Sequence, residues 1–490
     1  MGQSRYTQKY MKPIQHLIAA ALFVCPVLVT ASTGTALPDL GTNAFSSLSP
    51  EKEKIIGDIM LRQTRAQLPM VQDPLLDEYL NTLGQGLVAK AEGVRFPFSF
   101  SWVNSPDINA FAMLGGNVVF NTGTLAVAES ESELVSVLAH EIVHVTQRHI
   151  ARSVEERSQN GTLTLASLLG SILIGIANPQ AGMAGIMATQ GMAQQNAINF
   201  TRSNEQEADR IGIQLMAKGG FDPYAMPEFF AKLNEKTRFS NTQLAFLYTH
   251  PLSQARVADS RVRAEQYERR FVPDSSDFAL ARARVWARYQ LNGKDAIAHF
   301  QKRLQSPGGN TKANQYGLAL ALFDSGDVQT AAQMLEKLRD ADSRNLFYLD
   351  ALTDVYIKQG KTEQALKMLE QEYMLRPNNQ VVTLNYANAA LAAKSERLAL
   401  HLLKSLLFAK PDTFLAYDML TNVYKQMNDM AKYFEARADL YYQMAIYPKA
   451  IDDINEALNQ LASDDKLESR RLEAKKKQWQ TELSRMKQLN

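Results

Sequence analysis

Two histidines and a glutamate lie at the spacing that a helical zinc site requires. They are His140, Glu141 and His144, in the run Leu-Ala-His-Glu-Ile-Val-His that begins at Leu138. Residues four apart share a face of a helix, so both imidazoles can hold one zinc ion at about 2.0–2.1 Å each. Glu141 lies beside the two ligands, where its carboxylate can take a proton from an attacking water. The pattern predicts a zinc-dependent hydrolase, since two histidines on an ordinary helix surface explain it poorly.

An acidic segment further along the chain offers the third ligand that zinc needs when one position stays open. Glu205 and Asp209 are one turn apart on a predicted helix, and we expect Glu205 to bind the metal. Asp209 is then placed to accept a hydrogen bond from the outer N–H of a ligand histidine. Glu207 lies on another face and is expected to be solvated, although it is the next candidate ligand. The Ser203–Gln206 pair has the pattern of a capping box and predicts that this helix begins there.

The sequence around the zinc motif predicts the elements that must position it. Ser130 and Glu133 form a capping box at the expected start of the zinc helix. Alternating aromatic residues over 96–104 predict a strand. The segment 109–121 is apolar with two central glycines, which predicts a β-hairpin or a bent edge strand.

The start of that second segment is a candidate substrate-binding strand. Its residues are Asn109, Ala110 and Phe111. A strand at a sheet edge beside the zinc helix can bind an extended peptide through backbone hydrogen bonds. An ordinary core strand is the alternative interpretation.

The second half of the chain has a period of 34 residues. Small residues recur at Ala319, Thr353, Ala387 and Thr421, and larger apolar positions follow the same step. Helix hairpins of this length resemble tetratricopeptide repeats, which stack into a solenoid. An ordinary helical domain with chance spacing is the alternative. We therefore predict an α+β, mainly α fold, with a metallopeptidase domain over 37–271 and an all-α repeat solenoid over 277–490.

The N-terminus has the pattern of a secretory signal over 1–36. Basic residues precede an apolar run over 17–29, and small residues follow, which predicts cleavage near residue 31 or 36. An uncleaved membrane anchor is the alternative. Cys25 is the single cysteine and lies inside the apolar run, so the mature chain would have neither disulfides nor thiolate ligands. These features predict an exported protein of the periplasm, and a location peripheral to the membrane is compatible with them.

Composition and the length of the apolar segments exclude some classes of function. The chain is 46% hydrophobic with a formal net charge of +2, which gives no indication of nucleic-acid binding. The stretch 161–200 is too apolar for a free loop, and we expect it to contact a membrane surface, to cap the active site or to form a buried hairpin. An apolar run of about 18 residues is absent, which disfavours an intramembrane protease.

Three motifs together resemble the M48 metallopeptidases. They are the His-Glu-x-x-His run, the Glu-x-x-Ala-Asp run that begins at Glu205, and a His-Pro element at His250 that is followed by Arg256. The resemblance implies a gluzincin-type domain, one zinc ion per chain, and endopeptidase activity. It also implies that His250 and Arg256 lie near the metal. There His250 either stabilises the oxyanion with Arg256 or closes the resting enzyme as a fourth ligand.

The resemblance extends to members of this family that combine a signal peptide with such repeats, and it therefore implies a cellular role for this chain. The resemblance implies misassembled outer-membrane β-barrel proteins as substrates and the barrel assembly machinery as a partner that the repeats bind. A protein that acts mainly as a chaperone or assembly factor, with a latent protease site, is the alternative.

Overall fold

The computed structural model describes residues 48–159, 192–238, 245–269 and 271–489. The predicted signal segment 1–36 and most of the apolar stretch 161–200 lie outside the described residues. Among the helices of the described residues, none is long and apolar enough to cross a membrane.

A three-stranded sheet follows two helices, α1 (Pro50–Gln67) and α2 (Pro74–Val88). Its strands are β1 (Ser99–Val103), β2 (Ala110–Ala112) and β3 (Asn117–Asn121). The central strand β3 runs parallel to β1 and antiparallel to β2. The predicted strand over 96–104 is therefore present but shorter, and the predicted hairpin over 109–121 is present, with β2 at one edge of the sheet.

Seven more helices are described in the first half, and one of them, Glu131–Thr146, carries the zinc motif. They are α3 (Thr122–Val127), α4 (Glu131–Thr146), α5 (His149–Gln159), α6 (Met192–Gly219), α7 (Ala225–Arg238), α8 (Ala245–Thr249) and α9 (Gln254–Ala264). Every residue of α4 is buried, and it packs against α6, α7 and β2. The Oγ of Ser130 accepts a hydrogen bond from the N–H of Glu133, as the capping box predicts. The carboxylate of Glu133 accepts from the N–H of Glu129 at 2.7 Å, one residue before the cap.

The predicted start of the acidic helix is wrong. Helix α6 begins at Met192, and Ser203 lies inside it as an exposed residue. The cause is that no glycine or proline interrupts the chain between Met192 and Ser203, so the helix continues through a local capping pattern.

The second half consists of helices that pack as consecutive pairs. They are α10 (Ser276–Val285), α11 (Gly293–Gln305), α12 (Lys312–Asp324), α13 (Val328–Ala341), α14 (Leu346–Lys358), α15 (Thr362–Leu375), α16 (Gln380–Ala392), α17 (Glu396–Ala409), α18 (Phe414–Gln426), α19 (Met430–Tyr442), α20 (Tyr447–Asn459) and α21 (Lys466–Leu489). Helices α12, α14, α16 and α18 begin 34 residues apart, which confirms the predicted repeat. The small residues Ala319, Thr353 and Ala387 are fully buried where these helices pack.

The turn inside each hairpin repeats the same backbone conformation. Gly326 and Gly360 have φ values of 98° and 75°, and Lys394 and Asn428 occupy the equivalent positions with φ values of 59° and 57°. Glycine adopts this left-handed region without steric cost, whereas lysine adopts it only where the surrounding structure holds it. The repeat geometry therefore persists where the glycine signal in the sequence is lost.

The two halves share a continuous apolar core. One cluster of buried side chains extends from Val71 in the first half to Ala436 in the repeats. Polar contacts reinforce this packing: the Nδ2 of Asn379 donates to the carboxylate of Glu78 at 3.0 Å. The repeat helices therefore pack directly against the elements that hold the zinc motif.

Candidate metal centre

The two motif histidines converge as their spacing predicts. His140 and His144 lie one turn apart on α4, and their Nε2 atoms are 3.0 Å from each other. Both side chains are buried. Two nitrogen lone pairs at this separation repel unless a proton or a cation lies between them, so the pair indicates a cation site.

Glu205 and His250 complete a four-residue cluster with the two histidines. From α6, the carboxylate of Glu205 is 3.3 Å from the Nε2 of His140 and 3.4 Å from the Nε2 of His144. The Nδ1 of His250 is 3.3 Å from the Nε2 of His140 and 3.2 Å from the Glu205 carboxylate. One candidate ligand atom from each residue lies within 4.8 Å of the other three.

These separations fit one tetrahedral zinc ion. Four ligands at about 2.0–2.1 Å from a tetrahedral metal lie about 3.3–3.4 Å from each other. The distances between the candidate ligand atoms given above run from 3.0 to 3.4 Å. Three imidazoles and a carboxylate are also ligands that zinc accepts.

Electrostatics favour positive charge inside the cluster. Burial alone would lower the pKa of His140, yet the carboxylates of Asp209 and Glu205 raise it to about 10. Burial lowers the pKa of His144 well below its usual range, although the charge of Glu205 opposes that shift. Burial would raise the pKa of Glu205, but His250 and Arg256 lower it well below its usual range. The carboxylates thus favour a positive charge beside His140, and a zinc ion bound there would supply that charge in place of a proton.

Asp209 and Arg256 hold the ligands from outside the cluster. The Oδ1 of Asp209 is 3.0 Å from the Nδ1 of His140, on the side of the ring where an outer partner of a metal ligand would lie. Arg256 is buried and donates to both carboxylate oxygens of Asp209, at 2.7 and 2.8 Å. It also lies 2.9 Å from the carboxylate of Glu205 and donates to the carbonyl oxygen of Pro251. Its guanidinium therefore orients two acidic groups at once.

Glu141 faces the cluster, and its carboxylate accepts no hydrogen bond from the described residues. Its side chain is fully buried, and neither carboxylate oxygen has a hydrogen-bond partner among the described residues. The Nε2 of His250 lies 3.3 Å from its Oε1. A buried carboxylate in this condition is costly, which indicates that its position is required for chemistry.

Sequence reasoning missed two groups beside His144. The Nδ1 of His149 lies 2.8 Å from the Nδ1 of His144, and the Nε2 of His149 lies 3.2 Å from the carboxylate of Glu207. Burial lowers the pKa of His149 to about 4, although Glu207 opposes that shift. Glu207 is partly solvated, as expected, but it also accepts a hydrogen bond from Arg152 at 2.8 Å. The sequence does show a third histidine, His149, shortly after the motif. Only the turn at Arg148 brings it next to His144.

The candidate substrate strand lies beside the metal cluster. Asn109 directly precedes β2, while Ala110 and Phe111 belong to it, and all three are buried. The carbonyl of Asn109 accepts from the N–H of Asn121, so Asn109 and Phe111 direct their backbone groups toward β3. The N–H and C=O groups of Ala110 and Ala112 then point away from the sheet. The segment that carries His250 contacts this edge, since the N–H of Phe246 donates to the carbonyl of Ile108.

The fold and the site together define a zinc metallopeptidase with a repeat domain. A model of peptidase family M48 matches residues 74–264, and a tetratricopeptide repeat model matches residues 356–423. The chain is 39% identical over 447 residues to the beta-barrel assembly-enhancing protease of Escherichia coli strain K12, covering 91% of each chain.

Other relatives give the same result. The putative beta-barrel assembly-enhancing protease of Vibrio cholerae is 39% identical, with 88% of this chain and 90% of that one covered. A mitochondrial metalloendopeptidase of Schizosaccharomyces pombe is 30% identical over 45% of this chain and 64% of that one. The chain belongs to peptidase family M48 and is a zinc metalloendopeptidase, which confirms the predicted family, cofactor and class of activity.

Proposed function

We propose that this protein is a periplasmic endopeptidase that degrades misassembled outer-membrane β-barrel proteins and assists their assembly. The observation that carries the catalytic part is the buried cluster of His140, His144, Glu205 and His250. The relatives named beta-barrel assembly-enhancing proteases support the biological part. We also propose that catalysis belongs to residues 37–271 and partner binding to residues 277–490.

In this proposal, the metal ligands are His140, His144 and Glu205. When bound there, zinc supplies a Lewis acid that polarises the peptide carbonyl and lowers the pKa of water. Glu141 takes a proton from the attacking water, because its carboxylate faces the cluster and, among the described residues, only His250 offers it a donor. The same carboxylate then delivers that proton to the leaving nitrogen.

The edge strand β2 is the proposed binding site for the substrate backbone. The outward N–H and C=O groups of Ala110 and Ala112 offer hydrogen bonds to an extended peptide. Binding through backbone groups depends little on side chains, which suits a protease that removes many different misassembled proteins. Asn109 and Phe111 hold the strand to β3 and keep this edge in position.

His250 is proposed to keep the resting enzyme latent through two contacts. Its Nδ1 lies in the ligand cluster, in the position that catalysis needs for water, and its Nε2 lies 3.3 Å from the Oε1 of Glu141. The ring stacks on Phe246, whose N–H is bonded to the carbonyl of Ile108 at the start of the edge strand. Movement of this single segment would therefore free the fourth metal position, the general base and the substrate edge together.

A His250→Ala variant distinguishes latency from a catalytic role. If His250 closes the site, basal cleavage of an unfolded barrel-protein substrate increases in this variant. If His250 instead donates to the oxyanion, kcat falls by about 10²–10³. A decrease with unchanged zinc content contradicts the proposed latency. The matched control is Thr249→Val, which removes a weak contact to the side chain of Asn109 and a hydroxyl hydrogen bond to the carbonyl of Phe246, and keeps the His250 ring.

The repeats are proposed to bind the assembly machinery. Met374 and Phe408 occupy equivalent positions in successive repeats, and they are 77% and 92% exposed. Large apolar side chains that are this exposed are typical of protein-binding surfaces. Repeat solenoids also provide extended surfaces for partner proteins.

The cellular role is tested with full-length variants expressed in Gram-negative cells. A Glu141→Gln chain should retain bound barrel proteins and assembly components, identified by mass spectrometry after purification from the periplasm. Adding Met374→Ser and Phe408→Ser should remove the assembly components. Adding Leu467→Ser, which changes another exposed apolar residue, should not. Full complementation of a deletion strain by Glu141→Gln would instead favour a chaperone with a latent protease site.

A further inference from the structure

The two histidines of the zinc motif have different outer partners. The Nδ1 of His140 faces a carboxylate directly, at 3.0 Å from Asp209. The Nδ1 of His144 faces another imidazole, at 2.8 Å from the Nδ1 of His149, and no carboxylate of the described residues pairs with it. His149 is 3% exposed, so water does not replace this contact.

A strained turn brings His149 to this position. On one continuous helix, residues five apart do not share a face, and His149 would point away from His144. Helix α4 ends before Arg148, which adopts a left-handed conformation with φ of 53°. This conformation is costly for a non-glycine residue and persists only where the surrounding structure holds it. Arg148 is held by an ion pair with Glu53 and a hydrogen bond to the carbonyl oxygen of Leu48.

The direction of each proton in this chain of contacts follows from the metal site. A histidine that offers Nε2 to a metal must carry its proton on Nδ1, so His144 donates to the Nδ1 of His149. His149 then accepts on Nδ1 and carries its own proton on Nε2. That proton is donated to the Oε2 of Glu207, at 3.2 Å. The three groups therefore form one hydrogen-bonded chain with a single consistent direction.

Glu207 is itself fixed at the far end of the chain. The guanidinium of Arg152 donates to its Oε2 at 2.8 Å and to the Oδ1 of Asn204 at 3.0 Å. Arg152 and His149 lie on α5, whereas Asn204 and Glu207 lie on α6 next to Glu205. The contacts thus join the two helices on the side of His144 that faces away from the cluster.

We infer that His149 and Glu207 are positioning residues that set the ring orientation and tautomer of His144 for zinc binding. This inference rests on the proposed ligand set, in which His144 binds through Nε2. Asp209 does the same for His140 by direct contact, whereas Glu207 acts on His144 through an inserted imidazole. Outer partners of this kind typically contribute 10–100-fold to metal affinity.

The test measures zinc affinity of the full-length protein by competition with a chelator of known affinity. His149→Leu removes both hydrogen bonds and should weaken zinc binding by about 10–100-fold. His149→Asn places a side-chain oxygen near the former Nδ1, keeps the acceptor for His144, and should restore most of the affinity. Glu207→Gln keeps an acceptor but loses the charge, and its effect should lie between the two. The control is Glu92→Gln, which removes an exposed ion pair with Lys218 and should leave affinity unchanged.

Two further measurements separate positioning from general destabilisation. The visible spectrum of the Co²⁺-substituted protein should shift in His149→Leu and return toward wild type in His149→Asn. The thermal unfolding temperature of the metal-free protein should be similar in both variants. Wild-type affinity in His149→Leu, or an affinity loss that only follows unfolding of the metal-free protein, overturns the inference. Retained zinc in His144→Ala would instead show that the ligand set is wrong.

Discussion

The protein buries two clusters of charged and polar side chains, and they are built in opposite ways. In the cluster around Arg284, the guanidinium lies 2.5 Å from Asp73 and 2.8 Å from Asp350, and it donates to the hydroxyl of Tyr316. Both carboxylates there pair with the cation, although the Oδ2 of Asp350 accepts no hydrogen bond from the described residues. In the metal centre, lone pairs of imidazoles and carboxylates converge, and the oxygens of Glu141 accept no hydrogen bond from the described residues.

The difference separates a structural use of buried charge from a chemical one. The Arg284 cluster joins α2 to the first helices of the repeats, and the guanidinium pairs with both buried carboxylates, which makes their burial tolerable. The metal centre has an excess of acceptors that only a cation and a substrate can satisfy. An incomplete polar cluster inside a well-packed core is therefore the feature that points to function.

The largest expected effect comes from removing the charge of the unsatisfied carboxylate. Glu141→Gln should lower peptide hydrolysis by about 10²–10⁴-fold, because the amide cannot take a proton from water. Zinc content, measured by atomic emission, should remain one per chain, since Glu141 is not a proposed ligand. Loss of zinc in this variant would place Glu141 among the ligands and remove its role as base.

Substitution in the Arg284 cluster should change the stability of the protein and not its chemistry. Arg284→Met leaves Asp73 and Asp350 buried without their cation, and it should lower the free energy of unfolding by about 3–5 kcal/mol. Denaturant unfolding followed by circular dichroism provides the measurement. Arg263→Met serves as control, because Arg263 and Asp259 form a partly exposed pair on one helix. A change under about 0.5 kcal/mol is expected there. A similarly small change for Arg284→Met would contradict the assigned structural role.

The sequence predicts the metal centre well because its signals are local. His140 and His144 are four residues apart, as are Glu205 and Asp209, so helix geometry alone places each pair on one face. The repeats are predictable for the same reason, since each hairpin packs mainly on its neighbours. His250 lies far along the chain from His140, and only the family resemblance placed it near the metal.

The failures of prediction occur where tertiary structure decides. The Ser203 pattern is a valid cap only if the helix stops before it, and nothing in the preceding residues stops it. The contact between His149 and His144 depends on a left-handed arginine that no local rule predicts. Arg284 and Asp73 lie 211 residues apart, and their pairing follows from how the repeats pack on α2.

A smaller effect is expected from the outer partner of His140. Asp209→Asn keeps the shape of the side chain but removes the charge near the Nδ1 of His140 and one half of the Arg256 pair. Zinc affinity should fall by about 10–100-fold, measured by chelator competition. Glu205→Ala should abolish stoichiometric binding under the same conditions, because it removes a proposed ligand. Equal effects of the two substitutions would contradict the distinction between ligand and outer partner.

The smallest effect is expected in a third charged cluster, which lies nearer the surface among the last repeat helices. Burial would raise the pKa of Glu435, yet Arg471, Lys475 and Lys432 lower it to about 2. Arg471 and Lys475 contact its carboxylate at 2.5 to 3.0 Å from α21, and Lys432 approaches it from the same helix as Glu435. The cations are partly exposed, so water screens these pairs more than it screens the Arg284 cluster.

The pH dependence of stability tests that ranking. A carboxyl group with a depressed folded pKa stabilises the protein above its unfolded pKa, near 4.5. Its contribution is lost as the pH falls through about 2. At pH 7, Glu435→Gln should therefore lower the free energy of unfolding by about 1 kcal/mol, because exposed partners weaken the pairs. The difference between wild type and variant should shrink as the pH is lowered from about 4.5 toward 2 and vanish near its lower end. A difference as large as that of Arg284→Met, or one that does not change with pH, would show that solvent exposure does not separate the two clusters.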